Sequence, residues 1–163
     1  MLSLMENTEK QNSYNELGTE GIISVQGRFG EYQIDTSKAI YFPRGILGFK
    51  PDIHFALVNF NKQGLENFKV LQCVEDANLA LPVLPSPLKN NIIDSKDMQE
   101  CIKSLDLSEE NTAVLFISSS TKKSDGNYDV FINAKAPIII DTQNQVAVQY
   151  VFTNAKYSIK HKI

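Results

Sequence analysis

FINAKAPIIIDTQNQVAVQYVF, residues 131–152, carries the pattern that decides the fold. Two apolar runs, 137–140 and 146–152, flank the polar segment DTQNQ. Short β-branched runs on either side of turn-forming residues read as a β-hairpin. In the second run Val146, Val148, Tyr150 and Phe152 share one face, and Ala147, Gln149 and Val151 share the other.

The same reading extends outward along the chain. Residues 113–118 and 128–134 flank TKKSDGN and predict a second hairpin. Shorter strands are predicted at 22–25, 31–34, 39–42, 53–60, 68–74 and 79–84. The run at 53–60 is apolar on both faces, which predicts burial on both. Pro82 interrupts 79–84 and predicts an edge strand or a bulge, and Pro85 and Pro87 mark a loop. One helix is expected, capped by Asp94 or Ser95, with Met98, Cys101, Ile102 and Leu105 at i, i+3, i+4 and i+7. It is expected to cover one face or open end of a sheet. Many short strands with turn signals at close spacing make the expected fold all-β and mainly antiparallel, a small β-barrel-like domain with one short helix. Residues 1–20 are polar and aperiodic and read as a disordered extension; residues 21–163 read as one folded domain.

The segment IYFPRGILGF, residues 40–49, differs from these strands. Pro43 breaks an apolar run, and Gly45 and Gly48 bracket two aliphatic residues. Proline fixes its own φ and glycine supplies angles other residues resist, so this is a shaped loop. It holds no nucleophile, metal ligand or phosphate cradle. Its value lies in shape and recognition.

The chain has 163 residues, 42% hydrophobic and 21% charged, with a formal net charge of −3. No apolar run approaches the ~18 residues of a membrane span. The N-terminus lacks the basic and apolar regions of a secretory signal. Two cysteines, one on an apolar helical face, do not suggest a disulfide framework. A cytoplasmic location is the simplest expectation. The scattered lysines and mild acidity argue against a nucleic-acid binder, although Lys156, Lys160 and Lys162 gather in the tail.

Catalytic and metal chemistry find little support. His54 and His161 belong to no spaced Cys/His cluster, so no metal or cofactor is expected. A catalytic thiol at Cys73 needs His54 and a carboxylate within hydrogen-bond reach or one bridging water. Glu75 and Asp76 read as solvated turn residues or as an acidic contact for a basic partner. Asn133 and Gln149 are amides in apolar strands. They either satisfy a local bend or present donors to a partner.

Three blocks then align with a known family: GRFGEYQIDTSKAIYFPRGILGF (27–49), LQCVEDANLALPVLP (71–85) and FINAKAPIIIDTQNQVAVQYVF (131–152). In order and separation they resemble FliW, the flagellar assembly factor. The resemblance spans about residues 21–157. It implies a β-barrel-like fold and a non-enzymatic regulator without a cofactor. Its implied partners are flagellin and the translational repressor CsrA. It further implies antagonism of CsrA, so that flagellin is translated, with no direct contact to nucleic acid or membrane. Leu47 stands where the family usually has proline, Lys50 where an acid is common, Cys73 for serine, Leu81 for phenylalanine and Gln145 for a basic residue. On this resemblance the expected contact surface comprises Phe42, Arg44, Phe49, Glu75 and Asp76, with Gln72, Asn133 and Gln149 as further members. Phe42 and Phe49 serve core packing equally well. The competing readings are a small-molecule-binding barrel or uncharacterised enzyme, and an oligonucleotide-binding barrel. The last is disfavoured by the lack of tryptophan and the negative charge.

Overall fold

The structure, a computed structural model, describes residues 21–163; the extension expected at 1–20 lies outside the described residues. Among the described residues eleven strands and one α-helix follow in chain order: β1 (Ile22–Gly27), β2 (Gly30–Asp35), β3 (Ile40–Phe42), β4 (Ile53–Asn59), β5 (Lys69–Cys73) and β6 (Ala80–Ser86), then α1 (Ser95–Ser104), β7 (Thr112–Lys122), β8 (Tyr128–Ile132), β9 (Ile138–Asp141), β10 (Val146–Gln149) and β11 (His161–Lys162). The order β7-β6-β5-β4-β3-β10-β9 closes into a seven-stranded barrel where β9 pairs back onto β7. All ladders are antiparallel except the β3–β10 bridge. The expected all-β, mainly antiparallel barrel is what forms. Both predicted hairpins form, β7–β8 and β9–β10.

Period-two alternation explains how one set of strands builds two cores. Ile138, Ile140, Ala147 and Leu115 point into the barrel with Phe42, Phe55, Leu71 and Val83. Their neighbours Ile139, Val146, Val148, Val114 and Phe116 point outward and pack beneath Met98, Cys101 and Ile102 of α1. Burying each such side chain contributes about 1.5–3 kcal/mol. The helix therefore covers a barrel face, as its spacing predicts. Its N-terminus is held by the C-terminal segment: Tyr157 Oη donates to Asp97 and accepts from the Asp94 N–H, and Lys156 pairs with Asp94. A third cluster forms where the β1–β2 hairpin lays Val25, Tyr32 and Ile34 over Ala56 on the outer face of β4.

Three expectations need correction. The run at 53–60 is buried on both faces only as far as Ala56; Leu57 is 40% exposed, while Val58 beside it packs on the outer cluster. Pro82 lies in an interior strand, and Pro85 is part of that strand rather than a loop. The registers explain why this is tolerated. Pro82 sits opposite Val70 on β5, one residue before the β6–β7 ladder starts at Val83. Pro85 sits opposite Leu115 on β7, beyond the end of the β5 ladder. Each proline occupies a stretch where β6 has a neighbour on one side only, which is the local equivalent of an edge.

Candidate functional site

The Pro-Gly segment forms a loop folded on itself at one end of the barrel. Gly45 N–H donates to the Phe42 carbonyl (3.0 Å), Phe49 N–H to Ile46 (2.8 Å) and Asp52 N–H to Pro43 (3.1 Å). Gly48 has φ 91°, the third position of a type II turn over Ile46–Phe49. Gly45 has φ 65°, and a Cβ there would meet the Lys50 carbonyl oxygen at 2.1 Å. Both glycines are demanded by the backbone.

Gln149 braces this loop from the neighbouring strand. Its Oε1 accepts from the Leu47 N–H (2.9 Å) and its Nε2 donates to the Ala136 carbonyl (3.1 Å). Leu47 is thus in the turn position that favours proline, yet its N–H is in use. The loop projects Leu47 (68% exposed) and Phe49 (46% exposed), with Arg44 also exposed.

Opposite the loop lies the turn that follows β5. Phe49 and Lys50 form one wall of a cleft of about 330 Å³, and Glu75 and Asp76 form the other. Its floor is Ile53, Cys73 and Leu79, at the open end of the barrel core. Glu75 is largely engaged internally. Its carboxylate accepts the His54 backbone N–H (3.0 and 3.1 Å), lies 2.5 Å from His54 Nδ1 and accepts the Cys73 thiol (3.5 Å). An ionised carboxylate only accepts, so Nδ1 carries the proton in this pair. Burial works to raise the Glu75 carboxyl, but the hydrogen bonds from the His54 ring and backbone outweigh it and hold the group below the ordinary glutamate range. The His54 ring also packs on Tyr41 (centroids 5.0 Å apart), whose hydroxyl donates to Asp52. Asp76 Oδ1 accepts the Asn78 N–H of its own turn (3.0 Å), and the residue is exposed.

His54, Cys73 and a carboxylate do converge, as a catalytic reading requires. The order is wrong for an activated thiol. The carboxylate stands between the two, Cys73 is fully buried, and burial foremost pushes its thiol up to about 11. The cluster ties the start of β4 to the 75–79 turn. Among the described residues no group of three or more His, Cys, Asp or Glu forms a metal site.

The structure thus divides the expected contact residues. Arg44, Phe49, Asp76 and Gln149 cluster about the loop, with Glu75 beside Asp76 on the cleft wall and tied to His54. Phe42 and Gln72 need correction: both have no exposed surface. Phe42 points into the barrel against Phe55 (4.9 Å), and Gln72 lies under the β1–β2 hairpin, bonded to the carbonyls of Cys73 and Ala77. Asn133 is half-buried, and its Oδ1 accepts the Ala136 N–H (3.0 Å), which shapes the turn that Gln149 also holds. Sequence reasoning missed Tyr41, Asp52 and Leu79. A tyrosine and a histidine inside apolar strands were the available signal.

Comparisons with known proteins bear on the family and the fold. The profile of a family described as "FliW protein" matches residues 24–163. A flagellar assembly factor FliW of Lachnospira eligens is 30% identical over 142 residues, covering 83% of this chain and 89% of the relative. One from Thermoanaerobacter pseudethanolicus is 30% identical over 136 residues, covering 83% and 88%. A crystal structure of the flagellar assembly factor FliW shares the fold at a TM-score of 0.62 and 24% identity, covering 87% of this chain and 96% of its own. With the barrel, the loop and the acidic turn all falling inside the matched region, the chain belongs to the FliW family.

Proposed function

We propose that this chain is a flagellar assembly factor that acts by binding two proteins in the cytoplasm. One is flagellin, held before its export; the other is the translational regulator CsrA. Export of flagellin frees the chain, which then sequesters CsrA and allows flagellin to be translated. The relatives' description as flagellar assembly factors supports the process. Among the described residues, no helix is long and apolar enough to cross a membrane.

The observation that carries the binding role is the barrel end. All three family-like blocks meet there, the third through Gln149, and they present Leu47 and Phe49 to solvent beside the Asp76 carboxylate. Exposed apolar anchors supply affinity, and a flanking charge steers a basic partner. In this reading Phe49, Arg44 and Asp76 touch the partner, and Gln149, Glu75 and Asn133 position the loop and turns that carry them.

Calorimetric titration of the full chain against the cognate flagellin and CsrA tests the proposal. Binding of at least one is expected. Phe49→Ala is expected to weaken it by about 2 kcal/mol, roughly thirtyfold, as for a central anchor. Asp76→Lys is expected to slow association with the basic partner, most at low salt. Failure of the unaltered chain to bind either protein rejects the function. Normal binding by Phe49→Ala moves the contact elsewhere on the molecule.

A further inference from the structure

Beside Pro82 the barrel wall comes apart. In the β6–β7 ladder Leu84 faces Phe116, so continuation of the register would bring Pro82 opposite Ser118. Proline has no N–H, so that pair lacks one of its two bonds. The ladder ends at Val83 and Ile117, and from Ser118 to Lys122 β7 pairs only with β8 on its other flank.

Backbone direction follows from the bonds on either side. Asn133 N–H donates to the Ile117 carbonyl (2.8 Å). Alternation then turns Ile117, Ser119 and Thr121 toward β8, and turns the backbone N–H and C=O of Ser118 and Ser120 toward the gap. Among the described residues that flank has no ladder partner. Across the gap, the Ala80 carbonyl is taken by the Arg28 guanidinium (3.5 Å).

The gap is also lined for side chains. Phe29, Phe60 and Phe68 wall a cavity of about 170 Å³ that reaches Pro82 and the Ser118–Ser120 stretch. Phe29 and Phe60 meet edge to face at 5.4 Å. The surrounding charge is positive: Lys62 lines the cavity, Arg28 lies at the hairpin tip and Lys122 ends the free flank. The acid of the neighbouring loop, Glu66, accepts from the Gly64 N–H of its own turn.

We propose that the free flank of β7, residues 118–122, is a strand-addition site for an extended segment of a partner protein. That segment is apolar at alternate positions and flanked by acidic residues. Its backbone pairs with Ser118 and Ser120. One apolar side chain enters the aromatic cavity, and the next on the same face follows about 6.6 Å along. Lys62, Arg28 and Lys122 select acidic flanks. This surface is separate from the barrel end, and its test uses neither flagellin nor CsrA.

The probe is a blocked heptapeptide, Glu-Glu-Val-Thr-Val-Glu-Glu, added to the isotope-labelled full chain. Expected are saturable amide shifts confined to Arg28, Phe29, 60–68, 118–122 and Val130, with slowed hydrogen exchange at Ser118 and Ser120. Lysine in place of glutamate is expected to weaken binding at least about fivefold. Ser120→Pro removes a donor on the free flank while Ser119 and Thr121 keep the β8 ladder. It is expected to abolish peptide binding and leave those two amides protected. Absence of saturable shifts, equal binding of the lysine peptide, or unchanged binding by Ser120→Pro would each overturn the proposal. Protection of Ser118 and Ser120 that rises with protein concentration alone assigns the flank to a second copy of this chain, and also overturns it.

Discussion

Gly27 illustrates how much a single missing atom matters. A Cβ there would lie 2.0 Å from Gln72 Oε1. Gln72 cannot swing aside cheaply, because it is fully buried and its Nε2 is held by the carbonyls of Cys73 (3.1 Å) and Ala77 (3.2 Å). Gly27→Ala is expected to destabilise by about 1–3 kcal/mol, the range for overpacking, as read from urea unfolding. Adding Gln72→Ala removes the obstacle, so the pair should cost less than the sum of the single changes. Glu75 sets a pH dependence at the same scale. Its carboxyl titrates lower in the folded chain than in the unfolded one. It therefore contributes stability that is fully present above the ordinary glutamate value and is lost as pH falls through the lower folded value. Glu75→Gln should flatten that acid limb in denaturation series from pH 6 to pH 3, measured with roughly 0.5-unit steps. An unchanged limb would mean other carboxylates carry it. Neither contact was legible in sequence. A glycine beside a turn and a glutamate in Glu75-Asp76 both look local, yet their partners lie 45 and 21 residues away.

Two elements act through what their backbones leave unpaired. In the loop, Gln149→Ala removes the acceptor for Leu47 N–H and a donor to Ala136. The loop is exposed, so global stability should change by less than about 1.5 kcal/mol, while exchange at Leu47 and Phe49 accelerates. Leu47→Pro deletes the same N–H and gains a proline at its preferred turn position. The two changes share one bond and should be non-additive in a double-mutant cycle. In β6, Pro82→Val restores an N–H opposite Ser118. A new hydrogen bond contributes about 0.5–1.5 kcal/mol, and the looser unfolded chain offsets about 0.4–1 kcal/mol of it. Net stability should barely move, whereas the Ser118 amide should exchange markedly more slowly. Strands, both hairpins and the helix were readable from period and turn chemistry. Pro82 was misread because a sequence shows that a strand cannot donate at one point. It does not show that the neighbour on that side has already left.

At the scale of the whole molecule, the barrel is closed by contacts distant in sequence, with β7 pairing both β6 and β9. That arrangement folds as a unit, because β9 and β10 cannot leave without opening both the barrel interior and the layer beneath α1. The two cysteines report on it. Cys73 lies in the inner core and Cys101 in the outer one, both fully buried, with thiols pushed up by burial to about 11 and about 12. Alkylation by iodoacetamide at pH 8 should be slow for both in the native chain. It should accelerate together across the urea transition, as mass spectrometry would read. Earlier modification of Cys101 alone would mean that the helix detaches before the barrel opens. The double role of β7 has a further consequence. Its first half belongs to the barrel and its second half to the ribbon made with β8, five residue pairs long and ending in the exposed 123–127 turn. The ribbon thus continues past the point where β7 leaves β6, at Ser118. A fluorophore or affinity tag spliced into its tip would sit in an exposed turn, five residue pairs beyond the point where β7 leaves the barrel.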